Sequence, residues 1–411
     1  MKNAISKNHR LVFFVTVSFF WFSLYAYVPF VTPFADYMGA NLRLAGLIAG
    51  AYGFTQMVVR FPLGLLSDKL QRRKIFVQLG LLVAAIGAFL AFIFPSPYML
   101  LVMRGLGGVA ASAWVTFIVL GASYYGKDEA PKAMGSMSSA NAFGRMIALL
   151  LGGIIAQRLG VTYAFLLGGV AGIIGLVFSF FIKENRPKNN QRNFGIACPT
   201  EEGSPGIAEV NSKNSKGGSL KDVIKNKQLI FCSILGILAM FISFATTFGF
   251  TPLAASLLDA SQFQLAMLGV MSTAPAIFIS PLAGTIMPKR LGVGTTLAIG
   301  FVVAGAGSAL VAVSSTLPAL FVVQIAGSIG GAIVGTLLMG LCIRDISAEK
   351  RGTAMGFYQA VYGLGMFLGP FVTGHISHHA GLMTAFVFTG AVGAFGAMLA
   401  IVFAWKKVIR F

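Results

Sequence analysis

Acidic residues are what this 411-residue chain has least of: 12 Asp and Glu stand against 31 Lys and Arg, and charged residues make up only 10% of the total. A water-soluble globular domain carries about 25% charged residues, so that class is excluded. With 56% apolar residues and a mean hydropathy of +0.82, the composition is that of a polytopic membrane protein. Cysteine is scarce as well. Cys198, Cys232 and Cys342 form no spaced set, which leaves neither a disulfide framework nor a metal-binding knot. The chain lacks any GxxxxGK[ST] phosphate loop, which argues against ATP-driven pumping. Gly105, Gly107 and Gly108 stand inside an apolar run and read as helix packing instead of dinucleotide binding. No enzymatic activity, cofactor or metal site is expected.

A net charge of +19 would suit a nucleic-acid binder, so the positions of the basic residues decide. Apolar runs of about 20 residues between polar turns mark membrane spans. Twelve are expected, near 11–35, 44–66, 75–94, 98–122, 133–157, 162–182, 228–253, 264–287, 293–313, 317–342, 352–376 and 381–404. All but five of the 31 Lys and Arg then fall in the tails and in alternate loops on one side. That is the positive-inside pattern, which puts both termini in the cytoplasm and leaves no basic face for nucleic acid. The exceptions are Arg43 and Arg158 on the other side, and Arg60, Arg104 and Arg145 within spans. Lys2, Lys7 and Arg10 ahead of an apolar run imitate a signal peptide, but without a small-residue cleavage site the run reads as an uncleaved first span.

Residues 183–227 break the pattern with Asn, Pro, Gly, Ser and Lys, and are expected to form a largely disordered linker. Ser219 would cap a short amphipathic helix ending it at Lys227. The segments on either side echo each other. Pro29 and Asp36 recur as Pro252 and Asp259, Ala133-Met134-Gly135 as Ala354-Met355-Gly356, and Gly64 with Lys69 as Gly284 with Lys289. In the second copy Pro288 replaces Asp68.

The stretch Arg60 to Lys74, RFPLGLLSDKLQRRK, packs an apolar helix end, a glycine, one acid and a basic cluster into consecutive residues. It resembles the signature between the second and third helices of the major facilitator superfamily, read here as Gly64, Leu66, Ser67, Asp68, Lys69, Arg72 and Arg73, with Gln71 where that family usually has glycine. The resemblance extends to the twelve spans, the two repeats and Arg104 at the head of RGLGG, and so covers the chain outside 183–227. It implies an all-α membrane protein of twelve transmembrane helices in two parallel six-helix repeats. The bundles would be 1–182 and 228–411, rocking about a central site in a monomeric secondary transporter of the cytoplasmic membrane. It further implies a gate in which Gly64 lets span 2 approach span 11 closely, while Asp68, among Lys69, Arg72 and Arg73, pairs with arginines and a helix N-terminus in the outward-facing state and releases them in the inward-facing one. A plain topology anchor is the alternative. The RFPLG context also resembles nitrate and nitrite porters, although span 8 has no matching arginine.

A charge in mid-membrane costs about 2.5–3.5 kcal/mol on insertion scales, so Arg60, Arg104 and Arg145 should face a cavity or a partner. No Asp or Glu lies in a span core; Asp36 and Asp259 sit at outer ends, and Asp36 is the one acid available for coupling to a proton. Trp21, Tyr25, Gln56, Asn141, Gln324, Tyr358, Gln359 and Tyr362 are candidate cavity-lining residues, with interhelical hydrogen bonding as their other fate. Tyr98 and Trp405 read as interface anchors. His375, His378 and His379 close span 11, where they would bind a metal, sense pH or simply be solvated. In span 5, Gly144, Ala148, Leu149, Gly152 and Gly153 depart from the glycine-proline pattern of the family's antiporters.

Three functions remain open on the sequence. One is proton-coupled export of drugs or metabolites through an aromatic-rich cavity. Another is carriage of a small organic or inorganic anion bound by Arg60, Arg104 and Arg145. The third is a non-transporting receptor or lipid-handling protein.

Overall fold

The computed structural model describes residues 7–70, 72–125, 130–184, 226–344, 346 and 351–405, in which every regular element is helical. Twelve spans result. Span 1 comprises Lys7–Tyr25, a 3-10 turn at Val28–Phe30 and Val31–Tyr37. Pro29 has no N–H to continue the ladder, which accounts for the break at that point. Spans 2 and 3 are Leu42–Leu70 and Arg73–Ile93. Span 4 is divided at Ala113 into Pro97–Ser112 and Trp114–Ala122, and its start is capped by the Ser96 hydroxyl, which accepts from the Met99 N–H. Spans 5 and 6 are Ala130–Leu159 and Val161–Phe180.

Span 7 runs over Lys227–Ala245, a π-helical turn at Thr246–Phe250 and Thr251–Ser256. Its cap is Asn226, which accepts from the Leu229 N–H; the helix expected from Ser219 and nearly all of the expected linker lie outside the described residues. Spans 8 to 12 are Gln262–Leu291, Val293–Val311, Leu317–Arg344, Arg351–Ala380 and Leu382–Trp405. Span 8 opens with a capping box between Ser261 and Gln264. Eleven spans are long and apolar enough to cross a bilayer by themselves. Span 11 is not among them, because Tyr358, Gln359, Tyr362 and Pro370 dilute its apolar residues; it is sequestered instead, lying along spans 2 and 7.

The repeat is built into the packing. Span 5 lies on span 1 with Gly144 and Gly152 against the carbonyls of Ser18 and Ala26, and span 11 lies on span 7 with Gly365 and Gly369 against those of Ile237 and Phe241. A side chain at any of the four would meet backbone, so small residues set these helix separations. Gly160 and Gly381 make the corresponding one-residue turns between spans 5 and 6 and spans 11 and 12, at φ 105° and 87°, a region costly for other residues. Gly292 does the same after span 8, at φ 79°. Its counterpart in the first repeat, Arg72, caps span 3 at φ −122° instead.

The two six-span halves meet at the end of the bundle distal to the chain termini. There a Cβ on Gly46 would strike the Pro370 carbonyl and come within 2.8 Å of Gly374 Cα, while one on Gly53 would lie 2.6 Å from Met366. Gly153 packs on Ala266, and the buried Thr32 hydroxyl donates across the junction to the Gly249 carbonyl at 2.6 Å. Towards the termini the halves part. A Cβ on Gly64 would meet only Val115 of its own half, at 4.0 Å, and one on Gly356 would meet nothing within 4 Å.

The halves are parted where the gate of the outward-facing state is expected, so that gate is not engaged in this geometry. In this state the close approach of span 2 to span 11 is made by Gly46, Gly50 and Gly53, and Gly64 takes no part. The signature is helical up to its last residues: span 2 continues through Lys69 to Leu70, four residues beyond its expected end. Leu63, Leu65, Leu66 and Leu70 are strong helix formers, and they carry the helix past Gly64. Lys69 and Arg72 are exposed, and the Arg73 N–H donates to Glu184 Oε1 at 2.5 Å. The side chain of Asp68 is outside the described ones.

Candidate functional site

The site grows from one face of span 2. Tyr52, Gln56 and Arg60 recur at intervals of four, which places them one above another on a helix, and all three are buried. Span 4 is held against this face by its RGLGG glycines. Gly108 packs on the Tyr52 carbonyl, and the Thr55 hydroxyl donates to the Gly105 carbonyl at 2.8 Å. That crossing brings Arg104 over the ring of Tyr52, with Cζ 4.7 Å from the centroid. In span 5, Asn141 lies one turn before Arg145, whose Cζ stands 4.3 Å from the centroid of Tyr25. Tyr25 in turn lies 5.7 Å from Trp21. The Tyr52 phenol is within electrostatic reach of Arg60, Arg104 and Arg145 together.

The facing wall comes from the π-helical turn of span 7. Phe248 meets the Tyr25 ring edge-on at 6.2 Å, and Phe244 stacks on Tyr52 at 6.3 Å. The extra residue in a π turn frees local backbone from the regular ladder, and here it presents Thr247 and Phe248 to the arginines. Gln324 of span 10 fixes the turn from behind: its amide donates to Thr247 Oγ1 at 2.9 Å and to Ser272 Oγ at 2.7 Å. Two recesses lie between the walls. The first is lined by Tyr25, Val28, Arg145, Thr247, Phe248 and Thr273. The second adds Tyr52, Arg104 and Phe244, and shares Tyr25, Val28 and Phe248 with the first.

The electrostatic balance of this region is open. Arg104 and Arg60 are 5% and 6% exposed, and the Nε atoms of Arg60, Arg104 and Arg145 are buried without hydrogen-bond partners. Gln56 Oε1, Asn141 Oδ1 and Trp21 Nε1 share that condition. Contact with an aromatic face returns about 0.5–2 kcal/mol for a cation, less than the roughly 2.5–3.5 kcal/mol that a mid-membrane arginine costs. A site of this composition is suited to an anion.

The structure thus brings Arg60, Arg104, Arg145, Asn141, Trp21, Tyr25 and Gln56 into one region, and separates others from it. Tyr358 is 1% exposed in the core of the second half, its ring against Gly236, so it is a packing residue and does not line the cavity. Gln324 bonds other helices and stands behind the recess. Tyr362 is half-buried beside Tyr358, with ring centroids 5.2 Å apart, and Gln359 is half-buried. Asp36 is exposed at the distal end, away from the arginines. His375, His378 and His379 are exposed there too, with His379 4.6 and 4.9 Å from the other two rings. Among the described residues no group of three or more His, Cys, Asp or Glu is arranged to hold a metal. Tyr98 and Trp405 are exposed, at 72% and 84%.

Comparison with known proteins agrees with this architecture. The family profile described as Major Facilitator Superfamily matches residues 13–312 and 237–409. The chain belongs to the major facilitator superfamily. It is 22% identical over 366 residues to an uncharacterized MFS-type transporter of Methanocaldococcus jannaschii, covering 88% of this chain and 89% of that one. It is 29% identical over 181 residues to the multi-drug resistance efflux pump PmrA of Streptococcus pneumoniae, a match spanning 43% of this chain and 44% of the pump. Among solved structures, a bacterial homolog of the human lysosomal transporter Spinster, in an inward-facing and unoccupied conformation, superposes with a TM-score of 0.78 over 99% of both chains at 14% identity. As a superfamily member the chain is a multi-pass membrane transporter of a small molecule and not an enzyme.

Proposed function

We propose that this superfamily member is a secondary active transporter that carries a small organic anion across the cytoplasmic membrane by alternating access. The observation that carries the reading is the set of three arginines around Tyr52 and Tyr25, Arg60 and Arg104 buried and Arg145 half-buried, each with a buried, unpartnered Nε and with no carboxylate beside them among the described residues of the spans. The two six-span halves, 1–182 and 228–411, rock about that site in a monomer, with both termini and the linker on the cytoplasmic side that the basic residues mark. A proton gradient is the expected energy source. Asp36, exposed and distal, is poorly placed to carry its coupling.

A second reading, proton-coupled export of drugs or metabolites, is favoured by the likeness to the pneumococcal efflux pump and by the aromatic walls of Tyr25, Phe244 and Phe248. Thermal stability of the purified protein against organic anions and lipophilic cations at two pH values separates the two. A ligand at 100 times its Kd stabilises the folded state by about 2.7 kcal/mol. Anions that stabilise the wild type and lose their effect in Arg104→Ala, while Arg104→Lys keeps part of it, support anion carriage. Stabilisation by lipophilic cations instead assigns the arginines to coupling or structure and returns the protein to drug efflux.

A further inference from the structure

The two recesses are a matched pair. In each, an arginine of the first half lies over a tyrosine ring, Arg145 on Tyr25 and Arg104 on Tyr52. Each is faced by a ring of the span 7 π turn or the residues just before it, Phe248 and Phe244, which are 4.8 Å apart. The recesses are not separate chambers, since Tyr25, Val28 and Phe248 line both. Two guanidinium groups are thus spaced along one continuous apolar and aromatic wall, each with a buried, unpartnered Nε. A monoanion satisfies one of them and leaves the other without a counter-charge.

We infer that the substrate is a dianion with a flat or apolar body, one anionic group on Arg104, the other on Arg145, and its middle against Tyr25 and Phe248. This inference rests on the anion reading above and narrows it. Both arginines belong to the first half, so the dianion would stay seated on one bundle while the span 7 wall moves past it. Thr247 adds a hydroxyl on the Arg145 side alone, so the two subsites differ, and the Arg145 side would prefer the more polar end of an unsymmetrical substrate.

The test compares benzoate, isophthalate and terephthalate, which share a ring and differ in the number and spacing of carboxylates, by equilibrium binding to the purified full-length protein. Each charge-assisted contact is worth about 1.5–3 kcal/mol, so one dicarboxylate should bind at least roughly tenfold more tightly than benzoate. Arg104→Gln and Arg145→Gln should each reduce that dicarboxylate to the affinity of benzoate. Benzoate binding as tightly as both dicarboxylates overturns the two-subsite inference and leaves anion carriage intact. If none of the three binds while lipophilic cations do, both readings fall. The wild-type comparison decides without any variant, so a misfolded substitution does not obscure it.

Discussion

Replacing Gly46 with alanine tests whether the halves close as the structure has them. The added Cβ meets the Pro370 carbonyl and lies 2.8 Å from Gly374 Cα and 3.2 Å from Gly374 N. All three are backbone atoms, so no side chain can swing away, and span 2 or span 11 must move. Overpacking of this kind costs about 1–3 kcal/mol. Because spans 2 and 11 touch here only while the distal end is shut, the cost falls on that state and spares the state in which the distal end is open. A bias of that size shifts the equilibrium by about 5- to 150-fold. Spin labels on Tyr37→Cys and Leu257→Cys would report it, since both sites are exposed at the distal ends of spans 1 and 7, in a background where Cys198 is serine. Gly46→Ala should transfer population from the short to the long distance, while Gly335→Ala, where a Cβ meets nothing within 4 Å, should leave the distribution unchanged. An unaltered distribution in Gly46→Ala would refute the argument that this contact holds the distal end shut.

The same seal contains a polar contact that can be removed without adding bulk. Thr32→Val deletes the buried hydrogen bond to the Gly249 carbonyl, and a loss of about 1 kcal/mol should raise the distal-open population roughly fivefold in the same spin-label measurement. At the other end, Glu184→Gln keeps an acceptor for the Arg73 N–H but removes a negative charge from the N-terminus of span 3. The melting temperature should fall by an amount corresponding to about 0.3–1 kcal/mol, and the difference should shrink at high salt. Gln324→Leu removes two interhelical hydrogen bonds behind the span 7 turn, which average about 0.6 kcal/mol each in membranes. Dicarboxylate affinity should fall while the Arg104 subsite still binds benzoate; unchanged dicarboxylate affinity would show that the turn needs no support from span 10.

How much of this was legible in the sequence differs by level. The twelve spans follow from apolar runs, and their ends from charge, because a bilayer punishes the wrong residue at every position. Span 2 outran its expected end because a lipid-based reading stops at the first polar residues, whereas the backbone ladder continues through them as far as the local propensity allows. The arginines were legible for the same energetic reason, and Tyr52 could have been found with them, since it precedes Gln56 and Arg60 at the helical interval on a face already marked as polar. Tyr358 and Tyr362 share that interval, and nothing local distinguishes them. One enters the core of the second half because Gly236 of span 7, more than 100 positions away, leaves room for its ring. The π turn is hidden in a different way. Thr246 to Phe250 carries no proline, and its one glycine is unremarkable in a span; what rewards the extra residue is the Gly249 carbonyl reaching Thr32 and Thr247 reaching Gln324. Both partners come from other spans. A local irregularity that is stabilised only by remote contacts leaves no local trace, and at this site it is the feature that turns an ordinary helix into the wall opposite the arginines.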